Sequence, residues 1–293
     1  MKDIIVIVGP TGIGKTKLSI ELAKRLDGEI INGDSVAIYK KLDIGSAKPT
    51  KQEQAVCQHH LIDICELDKD YSVYDYQKDA RKLIKEITSR GKRVIIVGGT
   101  GLYIKAALFD YQFAEGTIYN SYDSMTNEQI IKEIRLYDSD IQIHPNNRKR
   151  LIRTLNKYKN NEVNSNNKDI PLYPMKVIGL ETSRSILYDR INHRVDQMIS
   201  LGLLQEIESL RNDYNTSRIL NSAIGYKEFK SYLFENETLE NVVEQIKRNS
   251  RHYAKRQFTF FKHQFNAKWF DINFEKFQNT IEDIYEYIQK EAN

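Results

Sequence analysis

Residues 3–16, DIIVIVGPTGIGKT, decide the fold of this chain. The first part, DIIVIV, is an apolar, β-branched run of strand length. The second part fits the phosphate-loop pattern through Gly9, Gly14, Lys15 and Thr16. In that pattern backbone N–H groups surround an anion, the lysine adds positive charge and the threonine hydroxyl meets Mg²⁺. Apolar residues at helical spacing follow, so the anion would lie at a helix N-terminus. We predict that the loop binds a polyphosphate, and the loop alone leaves the reaction open.

Length and composition restrict the class of protein. The chain has 293 residues and a net charge of +4. This length allows one large domain or a core with an inserted module. The two cysteines are too few for a disulfide framework and no leader-like segment precedes the first strand, so we expect a cytoplasmic, reducing location. No apolar stretch approaches the ~18 residues of a membrane span, and we expect no membrane partner. The modest charge does not by itself indicate nucleic acid.

Strand-like and helical segments alternate after the loop. Short apolar runs lie at 29–32, 93–97 and 175–180, and amphipathic segments of helical period separate them. The first of these runs leads into Asp34, at the place where an open α/β sheet carries its ligand-facing residues. The alternation predicts an α/β fold in which helices cover a parallel sheet of phosphate-loop type.

A change in composition divides the chain. We assign residues 1–110 to the first part of the phosphate-loop core and residues 111–143 to a small helical insertion. We assign residues 144–293 to the return to the core sheet and to C-terminal helices. In this last part, residues 160–169 are an asparagine-rich, low-complexity loop, and residues 186–211 have the pattern of one helix.

The end of the strand at 93–97 separates the possible reactions. Phosphate-loop hydrolases carry an aspartate at the end of a second apolar strand, where it supports Mg²⁺. Here that strand leads into Gly98-Gly99-Thr100-Gly101, with no carboxylate. This argues against a motor or switch ATPase and leaves phosphoryl transfer to a small molecule as a competing function.

Two segments carry positive charge without any acid. Between Lys247 and His263 there are six lysines and arginines and no acidic residue, interleaved with aromatic residues. Helical spacing puts four of the basic residues near one stripe, namely Arg248, Arg251, Lys255 and Lys262. The segment 144–159 also lacks acids. An ordinary surface helix generally carries both positively and negatively charged residues. A pattern of positive charges alone therefore favours contact with nucleic acid.

Nine sequence blocks occur in an order typical of one family. They are GPTGIGKT at 9–16, INGDSVAIYKKLDIGSAKP at 31–49, HHLIDI at 59–64, YSVYDY at 71–76, GGTGLYI at 98–104, HPNNRKRLIR at 144–153, RI..RVD.MI..GLL.EI..L at 190–210, AIGYKE at 223–228 and YAKRQFTFF at 253–261. Through these blocks the chain resembles the bacterial tRNA dimethylallyltransferases, also called tRNA isopentenyltransferases, over nearly its full length.

The resemblance implies a reaction and its partners. A dimethylallyl group would pass from dimethylallyl diphosphate to the exocyclic N6 amine of the adenosine immediately 3′ of a tRNA anticodon, with release of diphosphate. The loop would then hold a leaving group, with Lys15 and Thr16 in catalytic roles and Thr16 as the ligand of a Mg²⁺ cofactor. The residues carried over as the diphosphate cradle are Gly9, Pro10, Thr11, Gly12, Ile13, Gly14, Lys15 and Thr16. Monomer is the default oligomeric state.

The resemblance also implies roles around the transferred group. Asp34 matches the family's general base, and its competing role is a water-mediated contact to Mg²⁺. Arg194 is our candidate for a second clamp on the diphosphate, although Arg190 and Arg184 lie nearby and the sequence does not choose among them.

The tRNA would be held by three groups of residues, because the target adenosine must leave its stack and enter a pocket. The residues implied to meet the extruded nucleotide are Asp34, Ser35, Val36, Ala37 and Thr100. Those implied to touch the RNA elsewhere are Lys149, Arg150, Leu151, Ile152 and Arg153, together with Ser222, Ala223, Ile224, Gly225, Tyr226 and Lys227. The insertion would also contact the tRNA.

Some features depart from the family pattern or leave alternatives. Family members often have alanine at Gly33 and Met-Gln in place of Val36-Ala37, which puts in doubt a glutamine contact to the base. His59 and His60, near two cysteines, match no zinc signature, and we interpret them as structural. Three other functions stay open: prenylation of free adenosine nucleotides, a small-molecule kinase, and a catalytically silent RNA-binding protein.

Overall fold

The computed structural model describes residues 2–113, 120–160 and 169–290. Within them one sheet contains the strands β1 (Ile4–Val8), β2 (Gly28–Asn32), β3 (His59–His60), β4 (Arg93–Gly98), β5 (Met175–Glu181) and β6 (Lys268–Asp271). The strand order is β3-β2-β4-β1-β5-β6, and each neighbouring pair is parallel. The parallel sheet confirms the predicted α/β fold.

Helices connect and cover these strands. They are α1 (Lys15–Leu26), α2 (Lys51–Gln54), α3 (Val73–Ser89), α4 (Gly101–Leu108), α5 (Asn127–Arg135), α6 (Arg148–Lys159), α7 (Arg184–Ser200), α8 (Leu203–Ser209), α9 (Phe229–Phe234), α10 (Leu239–Gln264) and α11 (Phe277–Lys290), with a 3₁₀ turn at Arg211–Asn215. Sequence reasoning did not predict β6 or α11.

The central strand β1 explains why its sequence is apolar throughout. Side chains alternate between the two faces of a sheet, and here both faces are covered. Ile5 and Ile7 belong to a core shared with α1 and α11. Ile4, Val6 and Val8 belong to a second core shared with α3, α4 and α10. A strand buried on both faces needs apolar residues at every position, which is the pattern in the sequence.

The register of the sheet brings the functional loops together. Val8, the last residue of β1, pairs with Gly98 on β4 and with Gly179 on β5. Asn32, the last residue of β2, pairs with Val97. The loops that follow β1, β2 and β4 therefore leave the sheet at its carboxyl edge, where ligands of open α/β sheets bind.

The helix expected over 186–211 is interrupted. The chain forms α7 and α8, and Gly202 between them has φ +99°. This left-handed conformation suits glycine because it has no Cβ. The periodic pattern continues across the break because both helices present apolar residues to the same core, so the pattern alone did not reveal the turn.

The described chain divides into two compact units. The first contains residues 1–109 and 171–293, and the second is Asp110–Ile170. The boundary differs from the predicted insertion at 111–143, because Leu151 and Leu155 of α6 pack in one small core with Ile130 and Ile134 of α5. Residues 114–119 of the predicted insertion, and 161–168 of the predicted asparagine-rich loop, lie outside the described residues.

Candidate active site

The phosphate loop turns sharply between β1 and α1. Gly14 is the residue before α1 and has φ +99°. A Cβ on Gly14 would lie 2.9 Å from the ring of Phe277, a residue of α11. Glycine is therefore required here by conformation and by space. The turn sets the N-terminus of α1, with its free N–H groups and positive dipole end, at the carboxyl edge of the sheet.

A cavity of about 830 Å³ opens above this loop. It is lined by residues 11–17 of the loop and α1, by Asp34 after β2, by Gly98 and Gly99 after β4, and by residues of α7 and α10. The predicted members of the diphosphate cradle from Thr11 to Thr16 thus border one space. Ile13 packs its side chain into the core, so only its backbone can serve an anion.

Lys15 is held inward by the loop that carries it. Its ammonium group donates hydrogen bonds to the carbonyl oxygens of Gly9 and Pro10, at 2.9 and 2.8 Å. Burial, and then the nearby charge of Arg194, lower the pKa of Lys15 to about 7, while Asp34 acts in the opposite direction. A diphosphate would supply the anionic partner that this lysine lacks.

Of the two carboxylate oxygens of Asp34, one accepts a hydrogen bond from the described part of the protein and the other does not. Oδ1 accepts a hydrogen bond from the backbone N–H of Val36 at 2.9 Å. Asn32 brackets the same turn, since its Oδ1 accepts from Asp34 N at 3.0 Å and its Nδ2 donates to Asp34 O at 2.9 Å. Asp34 Oδ2 has no hydrogen-bond partner among the described residues. The turn thus fixes the side chain while one oxygen remains able to accept a proton.

Thr100 fastens the loop after β4 to the loop that carries Asp34. Its hydroxyl oxygen accepts a hydrogen bond from Ser35 N at 3.0 Å and donates to Ser35 Oγ at 3.2 Å. The predicted reaction-centre residues Asp34, Ser35 and Thr100 therefore lie together. Ala37 is buried and also borders the first cavity.

A second cavity, of about 300 Å³, meets the first at Asp34. The two cavities share Thr11, Asp34, Ser46, Arg194 and Tyr253. The second cavity is also lined by Ser35 and Val36, and by the predicted residues Ser222, Ala223, Ile224, Gly225 and Lys227. The two spaces can hold two substrates that meet at one carboxylate.

Tyr226, predicted to contact RNA, has a structural role in this arrangement. Its ring is fully buried, and its hydroxyl donates to Glu206 Oε1 at 2.8 Å and accepts from Ser46 N at 3.1 Å. Glu206 also accepts hydrogen bonds from the backbone N–H groups of residues 43, 44 and 45, at 3.1, 2.8 and 3.2 Å. Tyr226 thus braces the wall of the second cavity and is removed from the RNA-facing set.

The structure distinguishes the three arginines that the sequence did not separate. Arg194 borders both cavities and donates to the hydroxyl of Thr11 at 3.4 Å. Arg190 donates to Gly12 O at 3.2 Å and stacks over the ring of Phe274 at 3.7 Å, so it braces the outside of the loop. Arg184 is exposed at the start of α7. Arg194 has the position expected of a diphosphate clamp.

The predicted RNA-contacting segment of α6 lies in the second compact unit. Lys149, Arg150 and Arg153 are exposed and border a groove on this helix. Leu151 and Ile152 are instead buried in the core of the unit. Because a buried side chain offers no surface to a partner, the prediction for these two residues is corrected to a structural role.

The basic stripe predicted on α10 is only partly free. Of its four residues, Lys262 pairs with Glu181 at 3.0 Å and Arg251 donates to Asn192. Lys247, outside the stripe, pairs with Asp196 at 2.8 Å and with Glu244 of the same helix at 3.0 Å. The exposed cations that border a groove on this helix are Lys255 and Arg256. Glu181, the acid that pairs with Lys262, lies on β5, so the sequence of α10 alone did not reveal it.

Two residues of α10 complete the site, and sequence reasoning did not assign them. Burial, and then the charge of Asp34, raise the pKa of Tyr253 to about 12, so its hydroxyl keeps its proton. Gln257 lies one helical turn further along and is buried beside the phosphate loop. Two signals for them were present in the sequence: both lie in the block YAKRQFTFF at 253–261, and their spacing of four residues puts both on one face of a helix.

His59 and His60 both have partners within the protein. His60 Nε2 contacts Glu29 Oε2 at 2.7 Å, and Arg90 donates to the same oxygen at 2.7 Å. His59 Nδ1 lies 2.8 Å from the carbonyl oxygen of Cys57. Over residues 2–113, 120–160 and 169–290, no group of three or more metal-ligating side chains comes together. Among the described helices, none has the length and apolar character needed to cross a bilayer.

The geometry first defines a class of protein. A phosphate loop lies at the carboxyl edge of a parallel sheet, and a second cavity meets its anion site at one carboxylate. These features define a phosphate-loop protein that can bring an anionic substrate and a second substrate together. The model of one family, described as IPP transferase, matches residues 37–264. The chain belongs to the IPP transferase family.

Individual relatives cover almost the whole chain. A tRNA dimethylallyltransferase of Anoxybacillus flavithermus is 44% identical over 300 residues, which cover 98% of this chain and 96% of the relative. One of Staphylococcus saprophyticus is 42% identical over 306 residues, with 98% and 97% covered. The phosphate loop, which precedes the family match, lies within these alignments.

Two solved structures share the fold over most of their length. The tRNA isopentenylpyrophosphate transferase of Bacillus halodurans has a TM-score of 0.76 and 39% identity, and the match covers 100% of this chain and 98% of that chain. A eukaryotic dimethylallyltransferase acting on tRNA has a TM-score of 0.79 and 30% identity, with 92% and 74% covered.

Proposed function

We propose that this protein transfers a dimethylallyl group from dimethylallyl diphosphate to the N6 amine of the adenosine immediately 3′ of the anticodon in tRNA, and releases diphosphate. Membership of the family supports the reaction. The observation that carries the assignment of roles is the meeting of two cavities at Asp34, Arg194 and Thr11. One cavity has an anion-binding loop, and the other borders the same carboxylate.

The donor would occupy the first cavity, with its diphosphate at Lys15 and the N-terminus of α1. Cleavage of the allylic C–O bond leaves negative charge on the diphosphate. Lys15 and Arg194 lie where that charge forms, and fixed cations stabilise a transition state without further reorganisation. The buried lysine gains its anionic partner at the same time.

Magnesium fits this end of the cavity. Thr16 borders the cavity, and its hydroxyl has no hydrogen-bond partner among the described residues. The hydroxyl of Thr16 and the diphosphate oxygens are ligands of the kind that Mg²⁺ prefers. Thr16 would hold the ion, which supplies charge neutralisation for the leaving diphosphate.

The acceptor would enter the second cavity as an extruded base. Unstacking a base costs a few kcal/mol, which new stacking and edge contacts offset. The amine nitrogen forms a bond to the allylic carbon, the C–O bond breaks, and the N6 proton passes to Asp34 Oδ2. Tyr253, which stays protonated, borders both cavities, and its hydroxyl donates to the carbonyl oxygen of Gly99 at 3.4 Å.

The RNA would be held through its phosphates. Lys149, Arg150 and Arg153 of α6 and Lys255 and Arg256 of α10 are exposed cations that border grooves. Phosphate contacts position an RNA, while the bases of a single-stranded loop specify it. We place the protein in the cytoplasm, where tRNA serves translation, and we take it as a monomer.

Labelled dimethylallyl diphosphate tests the proposal in one experiment. The protein is incubated with the donor and with either a tRNA anticodon stem-loop or AMP, and the products are digested to nucleosides. We expect the label in N6-modified adenosine from the stem-loop. Label in AMP alone would indicate a free-nucleotide prenyltransferase. Transfer of phosphate from ATP, or binding of RNA without turnover, would support the other two alternatives.

A further inference from the structure

Gln257 joins two loops of the active site through both ends of its side-chain amide. Its oxygen, Oε1, accepts a hydrogen bond from the backbone N–H of Thr11 at 2.9 Å. Its nitrogen, Nε2, donates to the carbonyl oxygen of Gly99 at 3.0 Å. Thr11 belongs to the phosphate loop, and Gly99 precedes Thr100. The side chain is 4% exposed, so water does not compete for these bonds.

The bond to Thr11 has a consequence for the anion site. A phosphate loop binds anions with backbone N–H groups, and here one of those groups points at Gln257. The Thr11 N–H is therefore committed to holding the loop in place. The hydroxyl of the same residue accepts from Arg194 at 3.4 Å. Thr11 thus connects the loop to both Gln257 and the arginine clamp.

The bond to Gly99 lies next to the proposed base. A Cβ built on Gly99 would fall 2.1 Å from Gln257 Nε2 and 3.8 Å from Asp34 Oδ2. The amide nitrogen and the open carboxylate oxygen therefore both lie within 4 Å of one point. A side chain at position 99 would displace the amide of Gln257, which occupies that space.

We propose that Gln257 is a positioning residue that fixes the phosphate loop relative to the base. Both ends of its amide are engaged by the protein, so it acts through Thr11 and Gly99 without touching the substrates. In-line transfer requires the leaving group, the allylic carbon and the amine to be aligned, and a displacement of about 1 Å can cost about 10²-fold in rate. This inference rests on the proposed prenyl transfer.

Two substitutions separate positioning from simple packing. In Gln257→Glu, a protonated carboxyl can still accept from Thr11 N and donate to Gly99 O, whereas a carboxylate cannot donate. In Gln257→Met, neither bond forms at any pH. The charged and titratable groups that line the same cavity as Gln257 are the same in wild type and variants. They are Lys15, Lys17, Asp34, Lys48, Glu53, His59, Asp189, Arg190, His193, Arg194 and Tyr253.

The measurement is the single-turnover rate of transfer to an anticodon stem-loop, expressed relative to wild type at each pH. For Gln257→Glu we expect this ratio to be at least tenfold lower near pH 8 than near pH 5.5, an order-of-magnitude expectation for a raised, buried carboxyl pKa. Gln257→Met should be slow throughout. In both Gln257 variants the dissociation constant of dimethylallyl diphosphate should change by less than about threefold. The substitutions disturb the alignment of the reacting groups and leave donor binding intact.

Gln245, on the same helix and without a hydrogen-bond partner among the described residues, provides the matched control. Gln245→Glu and Gln245→Met should follow the wild type at every pH. A Gln257→Glu ratio that does not change with pH, a Gln257→Met variant of normal rate, or a loss of donor affinity in proportion to rate would overturn the positioning role. A wild type that transfers nothing would overturn the proposed function itself, a result distinct from all of these.

Discussion

Asp34 combines a fixed position with a free oxygen. Its Oδ1 is bonded to Val36 N at 2.9 Å, and Oδ2 is open. The amine of adenine is a weak nucleophile because its lone pair is delocalised into the ring, so it must lose a proton as it attacks. A carboxylate that is held in place and has one open oxygen is suited to accept that proton.

Replacement of Asp34 should separate catalysis from binding. Asp34→Asn keeps an oxygen that can accept from Val36 N but removes the base. We expect turnover to fall about 10²–10⁴-fold while the affinity for an anticodon stem-loop stays within about threefold. Rapid-quench kinetics and filter binding give the two quantities. A variant with near-normal turnover would exclude Asp34 as the base.

Lys15 should make donor binding depend on pH. Its pKa is about 7 in the free protein, and a bound diphosphate raises that pKa because it favours the ammonium form. Above pH 7 the lysine must therefore take up a proton when the donor binds. Donor affinity should fall as pH rises from about 7 towards about 9, by at most about tenfold per unit.

Calorimetry measures this uptake directly. Binding enthalpies of dimethylallyl diphosphate in buffers of different ionisation enthalpy give the number of protons exchanged, and we expect close to one proton taken up near pH 8. Lys15→Arg should remove the part of this proton uptake that is due to Lys15, because a guanidinium stays protonated throughout this pH range. Equal proton uptake by the wild type and this variant would contradict the assignment.

On helix α6, the tertiary structure sorts residues of one charge into two roles. Arg148 is bonded within its own unit, to the carbonyl oxygens of Met125 and Tyr122 at 2.8 Å each. Lys149, Arg150 and Arg153 remain exposed around a groove. The sequence presents all four as equivalent basic residues of one helix. Only the latter three are available to RNA phosphates.

Removing two of these cations should flatten the salt dependence of RNA binding. Each lost phosphate contact lowers the slope of log affinity against log salt by about one. The double variant Arg150→Ala with Arg153→Ala should therefore bind a stem-loop more weakly, with a slope reduced by about two. The double variant Lys78→Ala with Lys85→Ala removes the same charge from exposed positions on α3, outside every segment proposed to contact RNA, and serves as control. If both double variants gave the same slope of log affinity against log salt, α6 would be a solvated surface helix with no specific part in RNA binding.

At the scale of the whole molecule, the chain leaves the first unit after Phe109 and returns to it at Pro171. Phe109 and Pro171, the last and first residues of the first unit at this junction, are paired as neighbouring strands would be. Leu172 N also donates to Leu108 O at 2.9 Å. A module whose two ends emerge side by side can be removed without opening the core that carries it.

Excision of residues 111–169, with a short glycine-serine link, should leave the first unit folded. We expect inorganic diphosphate to bind with an affinity within about threefold of wild type, since its site lies wholly in that unit. Stem-loop affinity should fall at least tenfold because the cations of α6 are lost. Titration calorimetry and filter binding measure the two effects. Loss of diphosphate binding would show that the core depends on the second unit.

The sequence by itself determined the sheet, the phosphate loop and the family. Local physics is sufficient there, because a strand buried on both faces is apolar throughout, and a phosphate loop needs particular residues at fixed spacing. The family resemblance also implied Asp34 and Thr100 at the reaction centre, and it left Arg194, Arg190 and Arg184 as alternatives for the diphosphate clamp.

The tertiary structure alone decided which residues of those motifs are free to act. Tyr226, Leu151 and Ile152 lie in motifs that resemble RNA-contacting blocks, yet their side chains are buried. Lys247 and Lys262 are neutralised by acids from distant parts of the chain. Gln257 meets Thr11 across 246 positions of sequence. Burial and pairing of this kind depend on contacts between remote segments, and local sequence carries no record of them.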